Sequence, residues 1–306
     1  MSTPAKRHPS AIMGTCVVPW TENYTFDEAK FRAQVRDLAE NLTPYLYVFG
    51  TAGEGYAVTD AQYEAISRSF LEEAVSVGVH PTIGIIHLSL PVMLERIERA
   101  MGWGARSFQI SLPSWAALND REVEIFFRET CGRFRDCQFL HYNLLRTKRL
   151  LTPTEYGSLA NEHPNLVATK NTKDDEVFLT ELHTLAPQLQ HFLGESGYAR
   201  MRDRFDCGLL ISIASTNSRR AREFFDARGE KLVAMREELQ GGLAAIKEVI
   251  GPQPLIDGAY DKLLYKISAP DFPLRLLPPY ESADEVTALP RYREALARLA
   301  PMWLPE

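Results

Sequence analysis

Leu166-Val167-Ala168-Thr169-Lys170-Asn171 is an apolar run with a lysine near its end. Its apolar and β-branched residues predict a strand. Burial would remove hydration from the Lys170 ammonium, lower its pKa and leave some free amine at neutral pH. A free amine of this kind attacks ketones and forms a Schiff base. Alternatively, Lys170 extends to solvent or pairs with a carboxylate. The strand alone favours this second interpretation, whereas the rest of the chain favours the first.

Composition places the chain among globular proteins. It has 306 residues, 45% of them hydrophobic and 24% charged, which suits one large barrel-type domain or two ordinary ones. A formal net charge of -6 opposes a nucleic-acid partner. No run approaches the ~18 apolar residues of a membrane span, so no membrane partner is expected. The first ten residues contain no apolar stretch, so no signal peptide is predicted.

The cysteines and histidines indicate neither disulfides nor a metal. No CxxC pair occurs among the cysteines, and scattered cysteines are typical of reduced thiols in a cytoplasmic protein. Neither they nor the histidines show a metal-site spacing such as HExxH, so we predict no metal and no cofactor. The cysteines are Cys16, Cys131, Cys137 and Cys207.

Short strand-like runs alternate with segments whose apolar residues recur at helical spacing. Ser or Thr followed three residues later by Glu or Gln predicts a capped helix start at three places, namely Thr25 with Glu28, Thr59 with Gln62, and Thr152 with Glu155. The predicted strands cover residues 12–18, 45–49, 82–86, 107–111, 139–143, 166–171, 190–194 and 209–215.

This alternation predicts an α/β fold, a (β/α)8 TIM barrel over residues 1–230 that forms a catalytic domain. A right-handed crossover after each strand makes the strands parallel. The alternative is an open doubly wound sheet, but no GxGxxG follows the first strand. The strand pattern stops after Gly229, and helical stripes begin at Leu232 and Leu263, with a last helix over 283–299. Residues 231–306 are therefore predicted to form a helical C-terminal domain.

Groups able to do chemistry follow several predicted strands, where barrel enzymes carry their catalytic residues. Neighbouring barrel strands lie about 4.8 Å apart, which would bring Lys170 near Tyr142. A tyrosine with an ordinary pKa near 10 needs a nearby ammonium or hydroxyl relay to transfer protons. Backbone N–H groups in the Gly50–Gly55 turn could bind an anion. Each feature alone also has an ordinary structural interpretation, as does His87 after the third strand.

Three motifs resemble the dihydrodipicolinate synthase/N-acetylneuraminate lyase family. They are GTAGEGYAVT at 50–59, YNLLRT at 142–147 and ATKNT at 168–172, and their order and spacing agree over nearly the whole chain. The resemblance extends to Arg275-Leu276-Leu277-Pro278. It implies a class I aldolase on a (β/α)8 barrel with helical C-terminal domain, which forms a Schiff base with pyruvate or another 2-oxo acid. It also implies a homo-oligomer, a tetramer or a dimer.

The resemblance assigns roles to individual residues. Lys170 matches the Schiff-base lysine, Tyr142 the proton-transferring tyrosine, and Thr51 the hydroxyl that hydrogen-bonds that tyrosine. Backbone N–H groups near Thr51 and Ala52 match the pocket for the substrate carboxylate. Ile211 matches a strand residue that lines the substrate pocket, and Gly194 lies at the end of the strand before it. Three further residues are expected to shape the distal half of the pocket, namely His87, Trp115 and Arg146.

Several departures from the family pattern oppose an authentic dihydrodipicolinate synthase. Ala52 replaces a common second hydroxyl residue, which removes one carboxylate ligand. Trp115 stands in the segment where the synthases have a second tyrosine, and an indole cannot relay protons as a phenol does. The loop from Asn143 to Arg146 is one residue shorter than usual, and His87 replaces a small residue.

The leading hypothesis is a lyase or synthase that splits or joins a 2-oxo acid and an aldehyde. A second hypothesis keeps the imine but makes the outcome dehydration or hydration of a sugar-acid-like substrate. A third is a non-catalytic barrel that binds a small acid. The departures favour the third, whereas retention of Lys170, Tyr142 and Thr51 opposes it.

Overall fold

The computed structural model describes residues 5–210, 212–250 and 255–305. Over these residues, strands and helices alternate from the first strand to the eighth helix, as the sequence predicts. The strands are β1 (Gly14–Thr15), β2 (Tyr45–Val48), β3 (His80–Ile85), β4 (Ser107–Ile110), β5 (Gln138–Asn143), β6 (Leu166–Asn171), β7 (Gln190–Leu193) and β8 (Gly208–Leu209).

The strands follow one another in the sheet in chain order, from β1 to β8. Every recorded pair of strands is parallel, and Ile12 just before β1 forms a further parallel bridge with Leu209 in β8. A helix after each strand and parallel neighbours in sequential order are the pattern of a (β/α)8 TIM barrel. The predicted fold class is therefore confirmed, including the helical C-terminal part.

Several helices begin at a side-chain cap, and the helix Asp257–Ser268, near the C-terminus, is buried on nearly all sides. Thr59 and Thr152 form the capping boxes that the sequence predicts, with Gln62 and Glu155. The helices are α1 (Glu28–Asn41), α2 (Asp60–Val77), α3 (Leu90–Gly102), α4 (Asp120–Phe127), α5 (Pro153–Glu162), α6 (Glu176–Leu185), α7 (Glu195–Met201), α8 (Ser218–Asp226), α9 (Gly229–Ile250), α10 (Asp257–Ser268) and α11 (Ala288–Leu299).

The predicted start of α1 is wrong by two residues. Asp27 is the N-cap, and its carboxylate accepts a hydrogen bond from Lys30 N–H. The Thr25 hydroxyl instead lies 2.6 Å from the Thr21 hydroxyl in the preceding turn. An aspartate caps a helix at least as well as a threonine does, so Asp27 sets the helix start although the Thr-x-x-Glu pattern is present.

The end of the predicted eighth strand is also wrong. β8 ends at Leu209, and Ile213–Ser215 forms a single 3-10 turn that leads into α8. The apolar run that predicted a longer strand is still buried, since Leu209, Leu210 and Ile213 are each less than a tenth exposed. An apolar run alone does not distinguish a buried strand from a buried turn.

The described residues divide into two compact units. The first unit comprises the described residues of Met1–Met13 and Pro81–Leu210, and the second comprises those of Gly14–His80 and Ile211–Glu306. The first unit contains most of β3 and all of β4 to β8; the second contains β1, β2 and α8 to α11. The domain boundary between residues 230 and 231 stays a prediction. Among the described helices, none combines the length and the apolar character that crossing a bilayer requires.

Candidate active site

Tyr142 and Lys170 lie side by side at the carboxyl ends of β5 and β6. The two residues are register partners in the parallel pair. Lys170 Nζ lies 4.1 Å from the centroid of the Tyr142 ring, the geometry of a cation–π contact. Tyr142 is buried at 4% exposure, whereas Lys170 is half-buried. The amine thus rests on an aromatic face, in a residue that is only partly exposed.

The residues on either side of Tyr142 and Lys170 point to the opposite face of the sheet, where they form a buried polar chain. Asn143 Nδ2 donates to Asn171 Oδ1 at 3.1 Å, and Asn171 Nδ2 donates to the Thr169 hydroxyl at 2.8 Å. Thr169 Oγ1 lies 2.8 Å from His191 Nδ1, and His191 Nε2 lies 3.0 Å from the Ala186 carbonyl. The carbonyl only accepts, so Nε2 carries the proton and Nδ1 accepts from Thr169.

This polar chain fixes the register of β5 against β6. Asn143 also exchanges two hydrogen bonds with the backbone of Leu151, which ties the end of β5 to the loop that follows it. A shift of one residue would turn these groups to the other face and leave buried polar atoms unpaired. The same register holds Lys170 beside Tyr142, so the polar chain maintains the contact between them.

A small polar cavity opens at the ends of β6 and β7. Its volume is about 150 Å³. Lys170 precedes its first lining residue directly, and Gly194 caps α7 at its other side. A Cβ added to Gly194 would meet no atom within 4 Å, so the space next to this residue is open. The cavity is lined by Asn171, Thr172, Lys173, Asp174, Leu193, Gly194, Glu195, Ser196 and Gly197.

The other candidate pocket residues of the first unit follow neighbouring strands. His87, after β3, is half-buried, and its Nδ1 accepts a hydrogen bond from Ser89 N–H at 3.0 Å. Trp115, after β4, is 80% exposed, and its carbonyl accepts from Lys148 Nζ. Arg146 lies in a 3-10 turn after β5 with its side chain exposed. In a parallel sheet these strand ends share one edge.

His141 does not belong to this edge, although it directly precedes Tyr142. Its ring is buried at 1% exposure, and its Nδ1 lies 2.7 Å from the Tyr156 hydroxyl in α5. Phe127 packs against the same ring. Burial lowers the pKa of His141 to about 3, so its ring is neutral at pH 7. His141 is therefore a core residue.

Thr51 and Ala52 lie in the second unit, in the glycine-rich turn after β2. Both are buried at 6% exposure. A Cβ on Gly53 would lie 2.6 Å from Phe49 N, and one on Gly55 would lie 2.4 Å from Phe49 O, so only glycine fits at these two positions. The turn therefore curls tightly back on the end of β2. Ile211, also nominated from the sequence, lies outside the described residues.

The sequence interpretation missed the acidic residue of this turn. Glu54 and Lys262 of α10 are both 0% exposed and form an ion pair at 2.5 Å. Burial lowers the pKa of Lys262 to about 8, and Glu54 opposes that shift. The motif at 50–59 contains Glu54, but nothing near Lys262 in sequence points to a partner more than two hundred positions away. A charged residue inside a buried glycine-rich turn was the available signal.

Known proteins are similar to this chain in both sequence and structure. The model of the dihydrodipicolinate synthetase family matches residues 8–250. A 4-hydroxy-tetrahydrodipicolinate synthase of Thermus thermophilus is 26% identical over 158 residues, 51% of this chain and 52% of that protein. One from Exiguobacterium sibiricum is 25% identical over 171 residues, 55% of this chain and 57% of that protein. The chain spans little more than half the length of these relatives.

Solved structures share the fold over almost the full chain. YagE, a prophage protein of the dihydrodipicolinic acid synthase family from E. coli that was crystallised with pyruvate, has a TM-score of 0.83 at 18% identity and covers 97% of this chain and 99% of its own. CdNal from Clostridium difficile, crystallised with mannosamine, has a TM-score of 0.79 at 16% identity and covers 95% and 99%. At these identities the structures show the fold alone. The family model covers well over half of the sequence, and the chain therefore belongs to the dihydrodipicolinate synthetase family.

Proposed function

We propose that this protein is a Schiff-base-forming lyase or synthase that splits or joins a 2-oxo acid, such as pyruvate, and an aldehyde. The contact between Lys170 Nζ and the Tyr142 ring carries this proposal. It supplies an amine and a phenol at one position, at the edge of the sheet where barrel enzymes do their chemistry. Family membership and the pyruvate complex of YagE support the same interpretation.

In the proposed reaction, the free amine of Lys170 attacks the ketone carbon of the 2-oxo acid. Two proton transfers expel the former carbonyl oxygen as water and leave an iminium ion. In cleavage, a base removes the proton of the C4 hydroxyl, the C3–C4 bond breaks, and its electrons pass to the iminium as an enamine. An aldehyde leaves, the enamine takes a proton at C3, and water releases the smaller 2-oxo acid and Lys170. Condensation is the reverse.

Tyr142 is the proposed proton carrier. Its ring lies against Lys170, so a hydroxyl at the ring's end is held near the reacting carbons for each transfer. The ring face also favours a cation, and the iminium is a cation at the same position as the ammonium. Thr51 keeps the role that the resemblance gives it, as the hydroxyl partner of the tyrosine. Backbone N–H groups at Thr51 and Ala52 are the proposed donors to the substrate carboxylate.

The polar cavity favours an aldehyde that carries hydroxyl or other polar groups. Thr172, Asp174, Glu195 and Ser196 offer both donors and acceptors around it. We assign to the substrate pocket, in addition, His87, Trp115, Arg146, Gly194 and Ile211. Trp115 in place of a second tyrosine favours an outcome different from that of the authentic synthase. As the family resemblance implies, we propose that the protein acts as a homo-oligomer, which light scattering on the purified protein would test.

Borohydride trapping tests the proposal. The protein is incubated with pyruvate and a panel of other 2-oxo acids, reduced with borohydride, and digested for mass spectrometry. We expect an adduct on the peptide that contains Lys170, and none in Lys170→Ala. Lys173→Ala is a matched control, because Lys173 Nζ also lies over an aromatic ring, 4.7 Å from the Phe178 centroid, but outside the strand. Absence of an adduct across the panel would contradict the proposal.

Product analysis then separates the two outcomes that an imine allows. Aldol cleavage releases an aldehyde, which a dehydrogenase assay or hydrazone derivative detects. Dehydration of a sugar acid releases water and leaves the carbon chain intact, so no aldehyde is formed. The acceptor panel should include aldehydes with and without hydroxyl groups, since the polar cavity predicts that the hydroxylated ones react faster.

A further inference from the structure

A buried ion pair joins the glycine-rich turn to α10 within the second unit. Glu54 and Lys262 are both 0% exposed, and their charged atoms lie 2.5 Å apart. Removing one partner of a buried pair leaves the other charge uncompensated, which is strongly unfavourable. Glu54 lies two residues after Ala52, so the anchored position is part of the turn itself.

Both carboxylate oxygens of Glu54 are used. Oε1 accepts from Trp20 Nε1 at 2.9 Å as well as from Lys262, and Oε2 accepts from Leu277 N–H at 2.8 Å. Lys262 Nζ also donates to the Arg275 carbonyl. Three other segments of the chain therefore meet at this carboxylate, and each donor restricts its direction. Charge-assisted hydrogen bonds of this kind are about twice as strong as neutral ones.

The backbone of the turn transmits the position of Glu54 to Thr51 and Ala52. Glu54 N–H donates to the Thr51 carbonyl at 3.2 Å, and Glu54 has a φ of 56°, in the left-handed region. A non-glycine residue holds this conformation at a cost that its surroundings must offset. The hydrogen bonds and ion pair of the Glu54 side chain supply that offset.

The same helix contacts the turn at Ala52. Ala52 packs with Tyr265 of α10 and with Phe272 beyond it. A Cβ on Gly258, in the first turn of α10, would lie 3.4 Å from the Ala52 carbonyl, so helix and turn are in close approach. The turn is thus held by α10 at two residues, through apolar packing at Ala52 and through charge at Glu54.

We propose that Glu54 and Lys262 are positioning residues, whose ion pair orients the backbone N–H groups of Thr51 and Ala52 for the substrate carboxylate. This inference rests on the proposed function, which gives those N–H groups their ligand. Neither residue touches the substrate. The helical C-terminal part thereby contributes to substrate affinity through one buried charge, although it supplies no reacting group.

Lys266 provides a matched control on the same helix. It is also buried, at 4% exposure, and its Nζ donates to the Phe272 carbonyl at 2.8 Å, much as Lys262 does to the Arg275 carbonyl. Its carboxylate partner is Glu285, at 3.1 Å, rather than the turn. Lys266→Met therefore removes a comparable buried ammonium without removing a contact to the turn.

The kinetic test compares Lys262→Met and Glu54→Gln with Lys266→Met, using the 2-oxo acid that traps on Lys170. We expect KM for this acid to rise about tenfold or more in the first two variants, while kcat changes by less than about threefold, because ground-state and transition-state binding of the carboxylate are lost together. Lys266→Met should leave KM within about twofold. The double variant Glu54→Gln/Lys262→Met should have a KM no higher than that of the more impaired single variant, since both substitutions act through one ion pair.

Hydrogen exchange tests the same inference without substrate. Deuterium uptake in a peptide over residues 49–58 should be faster in Lys262→Met and in the near-isosteric Glu54→Gln than in the wild type, and unchanged in Lys266→Met. Equal uptake in all four proteins, or equal KM in Lys262→Met and Lys266→Met, would overturn the proposal. Failure of every 2-oxo acid to trap would instead overturn the proposed function, and exchange would still decide whether the ion pair fixes the turn.

Discussion

Lys170 Nζ stands over the face of the Tyr142 ring, 4.1 Å from its centroid, because β5 and β6 place the two residues directly opposite each other. A ring face attracts a cation whether that cation is an ammonium or an iminium. In the proposed reaction the contact can therefore persist through imine formation, while the hydroxyl at the far end of the ring moves protons. The contributions of the Tyr142 ring and of its hydroxyl can be measured separately, because a substitution can remove the hydroxyl and keep the ring.

Tyr142→Phe should separate imine formation from turnover. The variant keeps the ring under Lys170 and removes the hydroxyl. We expect the adduct with the 2-oxo acid to form more slowly but to reach the wild-type extent, because the amine is retained, and we expect kcat to fall by about 10²- to 10⁴-fold, the usual contribution of a positioned acid–base group. Borohydride trapping at a series of fixed times measures adduct formation, and steady-state kinetics measures kcat. Tyr156→Phe, which removes a buried hydroxyl paired with His141, is the control and should keep full turnover. Full turnover in Tyr142→Phe would exclude its hydroxyl as the proton carrier.

The cap of α1 predicts a difference in stability between two neighbouring substitutions. Asp27→Ala removes the carboxylate that accepts from Lys30 N–H, so the free energy of unfolding should fall by ~1 kcal/mol. Thr25→Ala removes an exposed hydroxyl pair with Thr21 and should cost less. Urea denaturation of both variants measures the difference. A larger loss of unfolding free energy in Thr25→Ala than in Asp27→Ala would mean that Thr25 caps α1, as the sequence pattern predicts.

The sequence predicts the strand core of this fold well because strand signals are local. β6 spans the residues predicted for it. Tyr142 and Lys170 lie close to each other, as expected for residues at the ends of adjacent parallel strands. Helix starts are harder to predict, since two capping residues close together compete. At α1 the cap is Asp27 and not Thr25, although the Thr-x-x-Glu pattern is present.

The parts that the sequence could not predict depend on contacts between distant residues. Lys262 and Lys266 flank the apolar stripe of α10, where lysines usually extend to solvent, and the partner of Lys262 is 208 positions away. The polar chain behind the site joins β5, β6 and β7 through side chains that are each unremarkable in sequence. Roles for Thr51, Ala52 and Ile211 rest on the family resemblance alone.

Buried histidines predict a loss of stability in mild acid. Burial lowers the pKa of His141 from 6.5 to about 3 and that of His183 to about 4, and it also lowers the pKa of His191 well below the ordinary value. Below pH 6.5 the unfolded chain binds protons that the native protein excludes, so the free energy of unfolding falls as pH decreases. Each such histidine contributes a slope of ~1.4 kcal/mol per pH unit between its two pKa values.

His141→Gln tests this sign and magnitude for one residue. The variant should be less stable than the wild type at pH 7. Its free energy of unfolding should fall less steeply between about pH 6 and pH 4.5, by a slope that corresponds to the uptake of about one proton. Urea denaturation at several pH values gives both slopes. Tyr156→Phe alters the same buried contact without removing the histidine and should keep the wild-type slope. Identical slopes in His141→Gln and the wild type would mean that His141 takes up protons equally in both states.

Gly194→Ala tests whether the polar cavity receives the aldehyde. Gly194 has φ -69° and ψ 176°, which alanine adopts readily, and an added Cβ meets no atom within 4 Å. The free energy of unfolding should therefore change by less than ~1 kcal/mol. The new methyl group would occupy part of a cavity of about 150 Å³, so KM for the aldehyde in the condensation assay should rise. Trapping of the 2-oxo acid alone should proceed as in the wild type.

Gly102→Ala is the control for this substitution, because a Cβ there also meets no atom within 4 Å and the residue ends α3, away from the strand ends. It should change neither KM nor trapping. If Gly194→Ala slowed trapping of the 2-oxo acid as much as it raised KM for the aldehyde, the cavity would hold the first substrate rather than the second. The proposed order of the site, with the 2-oxo acid on Lys170 and the aldehyde beyond it, would then be wrong.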